Sequence, residues 1–231
     1  MKDRREFVKT ASIVVAASAV TGLALLSKPA FAAGKESNRT VTTTKGKRFA
    51  MVVDIRRCIG CDACTVACKA ENNVPLGVFR TWVEKHEAGK YPNVKVIMAP
   101  KLCNQCENPP CVPVCPVTAT FKREDGLTLI DYEVCIGCGY CIQACPYAIR
   151  YFDPVRHVAD KCTFCVQRVE QGLKPACVET CVGGARIFGD INDLDSEVSR
   201  ILNTEPIQVL KPDLGTKPHN FYVGLDSSIV R

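Results

Sequence analysis

Sixteen cysteines lie along the 231 residues in four groups, with none left over. Cys58, Cys61, Cys64 and Cys68 are spaced C-x2-C-x2-C-x3-C. Cys103, Cys106, Cys111 and Cys115 read C-x2-C-x4-C-x3-C and are followed by Pro116. Cys135, Cys138, Cys141 and Cys145 repeat the first spacing ahead of Pro146, and Cys162, Cys165, Cys177 and Cys181 read C-x2-C-x11-C-x3-C. Thiols in sets of four have three common uses: an iron-sulfur cube, a tetrahedral zinc site, or a pair of disulfides.

Three thiolates two residues apart wrap a loop around one face of a 4Fe-4S cube, because successive turns aim them at three iron corners. The fourth, three residues on, has entered a helix that points away, and in bacterial ferredoxins it serves a partner cube. Gly60, Gly137 and Gly139 suit loops this tight. Zinc favours two separated C-x2-C pairs, which fits the last group taken alone but leaves a surplus cysteine in the others. Disulfides are the ordinary use of cysteine after export, yet C-x2-C-x2-C repeated in register is a poor disulfide framework. The repetition favours four 4Fe-4S clusters on sixteen ligands.

Spacing and the ferredoxin analogy together predict an α+β fold: two nested bacterial dicluster ferredoxin-like units with a β-rich insertion and an extended C-terminal tail. The second and third groups share the Cys-Pro ending and flank a hairpin pattern, Thr120 to Lys122 and Leu127 to Ile130 about Glu124-Asp125-Gly126, giving an inner unit at 101–146. Groups one and four have Lys69 and Val182 in place of the proline and form an outer unit at 48–100 and 147–190, with an insertion at 74–99. Exchange of fourth ligands assigns Cys58, Cys61, Cys64 and Cys181 to a first cluster, and Cys68, Cys162, Cys165 and Cys177 to a second. Cys103, Cys106, Cys111 and Cys145 make a third, and Cys115, Cys135, Cys138 and Cys141 a fourth.

The elements that must position these loops are short. Phe49 to Ile55 and Ala185 to Gly189 read as matching strands, the insertion as strands with a turn near Tyr91-Pro92-Asn93, and Asp193 to Leu202 as a helix with an acidic first turn. The region 191–231 is expected to supply that helix and then, from Pro206, a tail packing across the body or a partner. His86, His157 and His219 share no spacing and are expected at surfaces or interfaces, and Trp82 in the packing of the insertion. Arg56, Arg57 and Lys69 are expected to stabilise the reduced first cluster, and Asp131 and Glu133 to lower the potential of the cube of the third group.

Composition excludes other classes. Hydrophobic content of 47 % and charged content of 23 % argue against disorder, and the net charge of +6 forms no basic stripe, so nucleic acid is not an expected partner. Residues 1–32 read as a twin-arginine signal peptide: Arg4-Arg5 precede a moderately apolar run, and Ala30-Phe31-Ala32 supplies small residues for cleavage. Ser12, Ser18, Thr21 and Gly22 make that run too polar for a confident membrane anchor, the competing reading. Residues 33–47 are a flexible lead-in, and the expected location is periplasmic, at the membrane through a partner. No nucleotide loop, nucleophile elbow or paired carboxylates nominate a catalytic residue.

The chain resembles the four-cluster iron-sulfur subunits that accompany molybdopterin oxidoreductases, among them those of dimethyl sulfoxide, polysulfide and tetrathionate reductases. The resemblance runs from about Arg48 to the end and is carried by RRCIGC at Arg56 to Cys61, LCNQCENPPCVPVCPVTATFKREDG at Leu102 to Gly126, ADKCTFCVQRVEQGLKPACVETCVGGARIFGD at Ala159 to Asp190 and PHNFYVGLD at Pro218 to Asp226. The stretches between ligands are most similar to those of tetrathionate reductases. Some relatives replace one ligand and hold a 3Fe-4S cluster, whereas Cys138 and every other ligand position are filled here. The resemblance implies a relay from a quinol-oxidising integral membrane subunit to a molybdopterin catalytic subunit that reduces tetrathionate to thiosulfate. The same relay for polysulfide, nitrite or arsenate, an independent periplasmic ferredoxin and a structural zinc protein are the alternatives.

Overall fold

Phe49–Asp54 (FAMVVD) buries every side chain, which a strand does only when both faces of its sheet are covered. In the computed structural model, which describes residue 44, residues 46–226 and residue 229, this segment is strand β1. The segment 1–32 and most of the lead-in lie outside the described residues.

The chain continues through a short 3-10 turn at Ile55–Arg57, helix α1 (Ala63–Asn72), a ribbon of β2 (Thr81–Lys90) and β3 (Asn93–Leu102), and a small hairpin of β4 (Thr120–Lys122) and β5 (Thr128–Ile130). Helix α2 (Tyr140–Gln143), strands β6 (Tyr151–Phe152) and β7 (Ala159–Asp160), and helices α3 (Val166–Val169) and α4 (Ala176–Glu179) follow. Strand β8 (Arg186–Asp190), helix α5 (Glu197–Thr204), β9 (Ile207–Gln208) and β10 (Asn220–Val223) complete it.

Four strands form one sheet in the order β8-β1-β10-β9, so its centre joins segments far apart in the chain. Met51 pairs with Phe188 of antiparallel β8 on one side and with Asn220 of parallel β10 on the other. Alternation sends Ala50 and Val52 toward Val198 of α5, and Met51 and Val53 into the main core with Phe164 and Tyr222. Each of Met51, Val52, Val53 and Val198, all fully buried, contributes about 1.5–3 kcal/mol. Ser196 caps α5 by accepting from the Ser199 amide at 3.1 Å.

The expected strands at 49–55 and 185–189, the 120–130 hairpin and the turn at Tyr91-Pro92 are all present. Three expectations need correction. The ribbon runs on to Leu102, against Cys103, while 74–80 forms no strand. Helix α5 starts at Glu197 rather than Asp193, because Ser196 is the residue that closes its N-terminus. The segment after Pro206 is no mere packing tail, since Asn220–Val223 occupies the middle of the sheet. Four residues are too few for a period to register in the sequence.

Candidate iron-sulfur sites

All sixteen cysteines are free thiols, which removes the disulfide alternative. Helix geometry then separates two thiols of the first group. Cys64 and Cys68 are four residues apart on α1, so they share a face but stand one turn, about 6 Å, apart along the axis. The two sulfurs line different cavities. Cys64 borders one with Cys58, Cys61 and Cys181. Cys68 borders another with Cys162, Cys165 and Cys177. A third is bordered by Cys103, Cys106, Cys111 and Cys145. Of the remaining four, Cys141 and Cys135 lie in one apolar cluster beside Cys111, and Cys115 accepts backbone N–H bonds in the Val117 to Thr120 turn.

A tetrahedral zinc ion draws four sulfurs to about 2.3 Å from one point. Among the described residues, no three Cys, His, Asp or Glu side chains converge tightly enough to hold a single metal ion. Four cysteines around one opening without converging on a single point suit a cube instead. Burial also pushes the Cys68 and Cys106 thiols up to about 12 and Cys177 to about 11, so these groups ionise readily only when cations or a metal compensate.

The loops depend on glycine where the chain turns back on itself. Gly137 has φ +69°, and a Cβ there would lie 2.5 Å from the His157 carbonyl oxygen. Gly137→Ala is expected to destabilise the protein by about 2–5 kcal/mol, read as a lower thermal midpoint by circular dichroism. An unchanged midpoint would show that the loop has an alternative path.

The quartets adjoin one another in a fixed order. Cys177 lies within electrostatic reach of Cys64, and Cys162 within reach of Cys103, while Cys111 and Cys141 share an apolar cluster. The cavity of Cys58 therefore neighbours that of Cys68, which neighbours that of Cys103, with the Cys135 and Cys141 loop beyond it. The two exposed cysteines, Cys61 and Cys138, fall at the two ends of this series.

Donors to sulfur are numerous. Ala185 N–H reaches Cys181 Sγ at 3.2 Å, Phe164 N–H reaches Cys162 Sγ at 3.4 Å, and Arg150 Nη2 reaches Cys111 Sγ at 3.0 Å. Asn72 Nδ2 lies 3.6 Å from both Cys68 Sγ and Cys165 Sγ. Sequence reading missed the buried cations Arg80, Arg150, Lys161 and Arg186, because a basic residue carries no mark of burial in its neighbours. It pointed instead to Arg56, which is held by Asp54 and Glu205, and to Lys69, whose amine donates to Pro75 and Val78 carbonyls. Arg57 does border the first cavity. Asp131 caps the turn ahead of Cys135 by accepting from Glu133 and Val134 amides.

His157 is exposed and His86 pairs with Glu84 at 3.0 Å, but His219 is largely enclosed. Burial, with Arg48 and Lys122 nearby, pushes its pKa down to about 4, so the surface expectation fails there. Trp82 packs against the core and donates to Glu84 at 3.2 Å. Among the described residues no helix is long and apolar enough to cross a membrane.

Comparison with known proteins agrees with this chemistry. A family described as a 4Fe-4S dicluster domain matches residues 94–191. The chain is 54 % identical to the B subunit of tetrathionate reductase from Salmonella typhimurium over 79 % of its own length and 75 % of that protein's. It is 52 % identical to the B subunit of tetrathionate reductase from Archaeoglobus fulgidus, covering 78 % and 84 %, respectively. To the corresponding B polypeptide of polysulfide reductase from Wolinella succinogenes the identity is 43 %, covering 77 % and 94 %.

Proposed function

The chain belongs to the family of iron-sulfur B subunits of molybdopterin reductases, and from that premise we propose that its sixteen thiolates hold four 4Fe-4S clusters in two nested dicluster units. The first cluster takes Cys58, Cys61, Cys64 and Cys181, and the second Cys68, Cys162, Cys165 and Cys177. The third takes Cys103, Cys106, Cys111 and Cys145, and the fourth Cys115, Cys135, Cys138 and Cys141. When bound, such clusters take up and release single electrons at potentials set by charge, hydrogen bonds to sulfur and exposure.

The protein is an electron-transfer subunit, and nothing in it is proposed as a substrate site. Its residues hold the relay in line, keep water from the middle quartets and leave the ends open. At one end Ile59 and Val182 are 63 % and 78 % exposed beside Cys58 and Cys181; at the other, Ile136 and Tyr140 are 63 % and 62 % exposed beside Cys135 and Cys141. These ends suit contact with a quinol-oxidising integral membrane subunit and a molybdopterin catalytic subunit. The observation that carries the choice of acceptor is identity above 50 % to two tetrathionate reductase B subunits. The proposed overall reaction is reduction of tetrathionate to thiosulfate.

Deleting the chain is expected to abolish quinol-linked tetrathionate reduction by cells, while extracts supplied with a dye reductant retain it through the catalytic subunit. Cells that keep full tetrathionate reduction but lose polysulfide, nitrite or arsenate reduction would transfer the role to that acceptor. A free monomer in native extracts would mark an independent ferredoxin.

Arg4-Arg5 and the small residues at Ala30 and Ala32 support export by the twin-arginine route to the periplasm. Changing both arginines to lysine is expected to hold the protein in the cytoplasm on fractionation, and undiminished export would refute this.

A further inference from the structure

Five cationic side chains are buried in the described structure: Arg80, Arg123, Arg150, Lys161 and Arg186. Two of them sit on carboxylates, Arg80 on Asp160 at 2.9 Å and Arg123 on Asp125 at 2.5 Å. The other three have no carboxylate within ion-pair distance among the described residues: Lys161 is held by backbone carbonyls, Arg150 by Cys111 and Thr120, and Arg186 by Thr81, so each charge is hydrogen-bonded but not neutralised.

Arg186 is 3 % exposed, donates to Thr81 Oγ1 at 2.8 Å, and leaves its Nη1 buried with no partner. It borders the cavity of Cys58, Cys61, Cys64 and Cys181 and lies within electrostatic reach of Cys177 of the adjoining quartet. Lys161, with no exposed surface, donates to the Cys162 carbonyl at 2.9 Å and to the Thr128 carbonyl. Cys162 belongs to the second quartet and Thr128 borders the third cavity. Arg150, 5 % exposed, donates to Cys111 of the third quartet and lies within reach of Cys141 and Cys115 of the fourth. Each of the three junctions in the series thus holds one buried cation without a carboxylate.

We propose that Arg186, Lys161 and Arg150 are junction cations, each the shared counter-charge of the two clusters it separates, which raises both potentials together and keeps neighbouring steps of the relay level. Reduction adds negative charge, and a cation placed between two sites favours it at both. Pairing Arg80 and Arg123 with carboxylates leaves them little net effect of this kind. The proposal rests on the ligand assignment above and deepens it: these are positioning residues that act through the clusters.

The test is an EPR-monitored redox titration of the holoprotein in its native complex. Arg186→Gln is expected to lower the potentials of the first and second clusters, each by at least tenfold in its reduction equilibrium, or 59 mV for one electron. Clusters three and four should move less than threefold. Lys161→Met is expected to move the second and third, and Arg150→Gln the third and fourth. A variant that moves only one cluster, none, or all four alike overturns the proposal. If a neutral variant fails to retain iron, Arg186→Lys, Lys161→Arg or Arg150→Lys decides: full iron with potentials within threefold supports the role, and iron loss or a tenfold shift overturns it. The two readings fail separately. Fewer than about sixteen iron atoms in the unaltered chain counts against the ligand assignment, whereas intact clusters with one-sided shifts count against the junction role alone.

Discussion

Cys181→Ser is expected to remove or degrade the cluster proposed on Cys58, Cys61 and Cys64 and to spare that proposed on Cys162, Cys165 and Cys177, although Cys181 belongs in sequence to the later group. The reason is helical. Cys177 sits in α4, and Cys181 follows one turn on, so the two sulfurs are offset along the axis and open onto different cavities. Cys64 and Cys68 on α1 are offset the same way, and the two helices exchange their outlying thiols. Iron is expected to fall from about 16 to about 12–15 per chain, with the EPR signal of one cluster altered and electron delivery lost. Cys177→Ser should strike the other cluster. Loss of the second cluster's signal from Cys181→Ser, with the first intact, would refute the exchange.

Asp160→Asn is expected to destabilise the protein by about 3–5 kcal/mol, a drop in thermal midpoint of about 6–20 °C for a chain of this size. Asp160 has no exposed surface and accepts from Arg80 Nε at 3.0 Å and Nη2 at 2.9 Å, Tyr132 at 2.8 Å, Tyr151 at 2.5 Å and Arg156 at 3.1 Å. Burial opposes its charge, but Arg80 and the tyrosine hydroxyls outweigh that and hold its carboxyl below the usual range. An amide there leaves Arg80 buried without its anion and sets an NH2 group against donors. Because Arg80 also borders the Cys68 quartet, iron release from that site should quicken first. Combining Arg80→Met with Asp160→Asn should cost at least about 1 kcal/mol less than the two changes summed. A single-variant loss below about 1 kcal/mol in denaturant titration of the holoprotein would refute the role of this network.

Legibility in the sequence followed the range of the interaction. Strand β1, the β4–β5 hairpin and the ribbon turn at Tyr91-Pro92 were readable because alternation and turn residues act over a few positions. Asn220–Val223 was not, since four residues take their place in the sheet from β1 and β9, which lie elsewhere in the chain. His219 was misjudged for the same reason: its enclosure comes from Glu107, Arg48 and Lys122, none of them near it in sequence.

The cysteine spacing by itself pointed to the chemistry of this protein, because the two C-x2-C-x2-C loops aim three thiolates at one face and the repetition of four such groups leaves no surplus cysteine. It also placed Gly60 and Gly137, whose positive φ the tight loops require. Only the tertiary structure decided which charges govern the sites. Arg56 and Lys69 are adjacent to ligands in sequence but are satisfied by Asp54 and by backbone carbonyls. Arg186, Lys161 and Arg150 lie between quartets because strands and loops from distant parts of the chain bury them there, with no carboxylate within ion-pair distance of their charged ends among the described residues. Ligation is set by local covalent geometry, whereas electrostatics depends on burial and on what lies across the fold, and neither is written in adjacent residues.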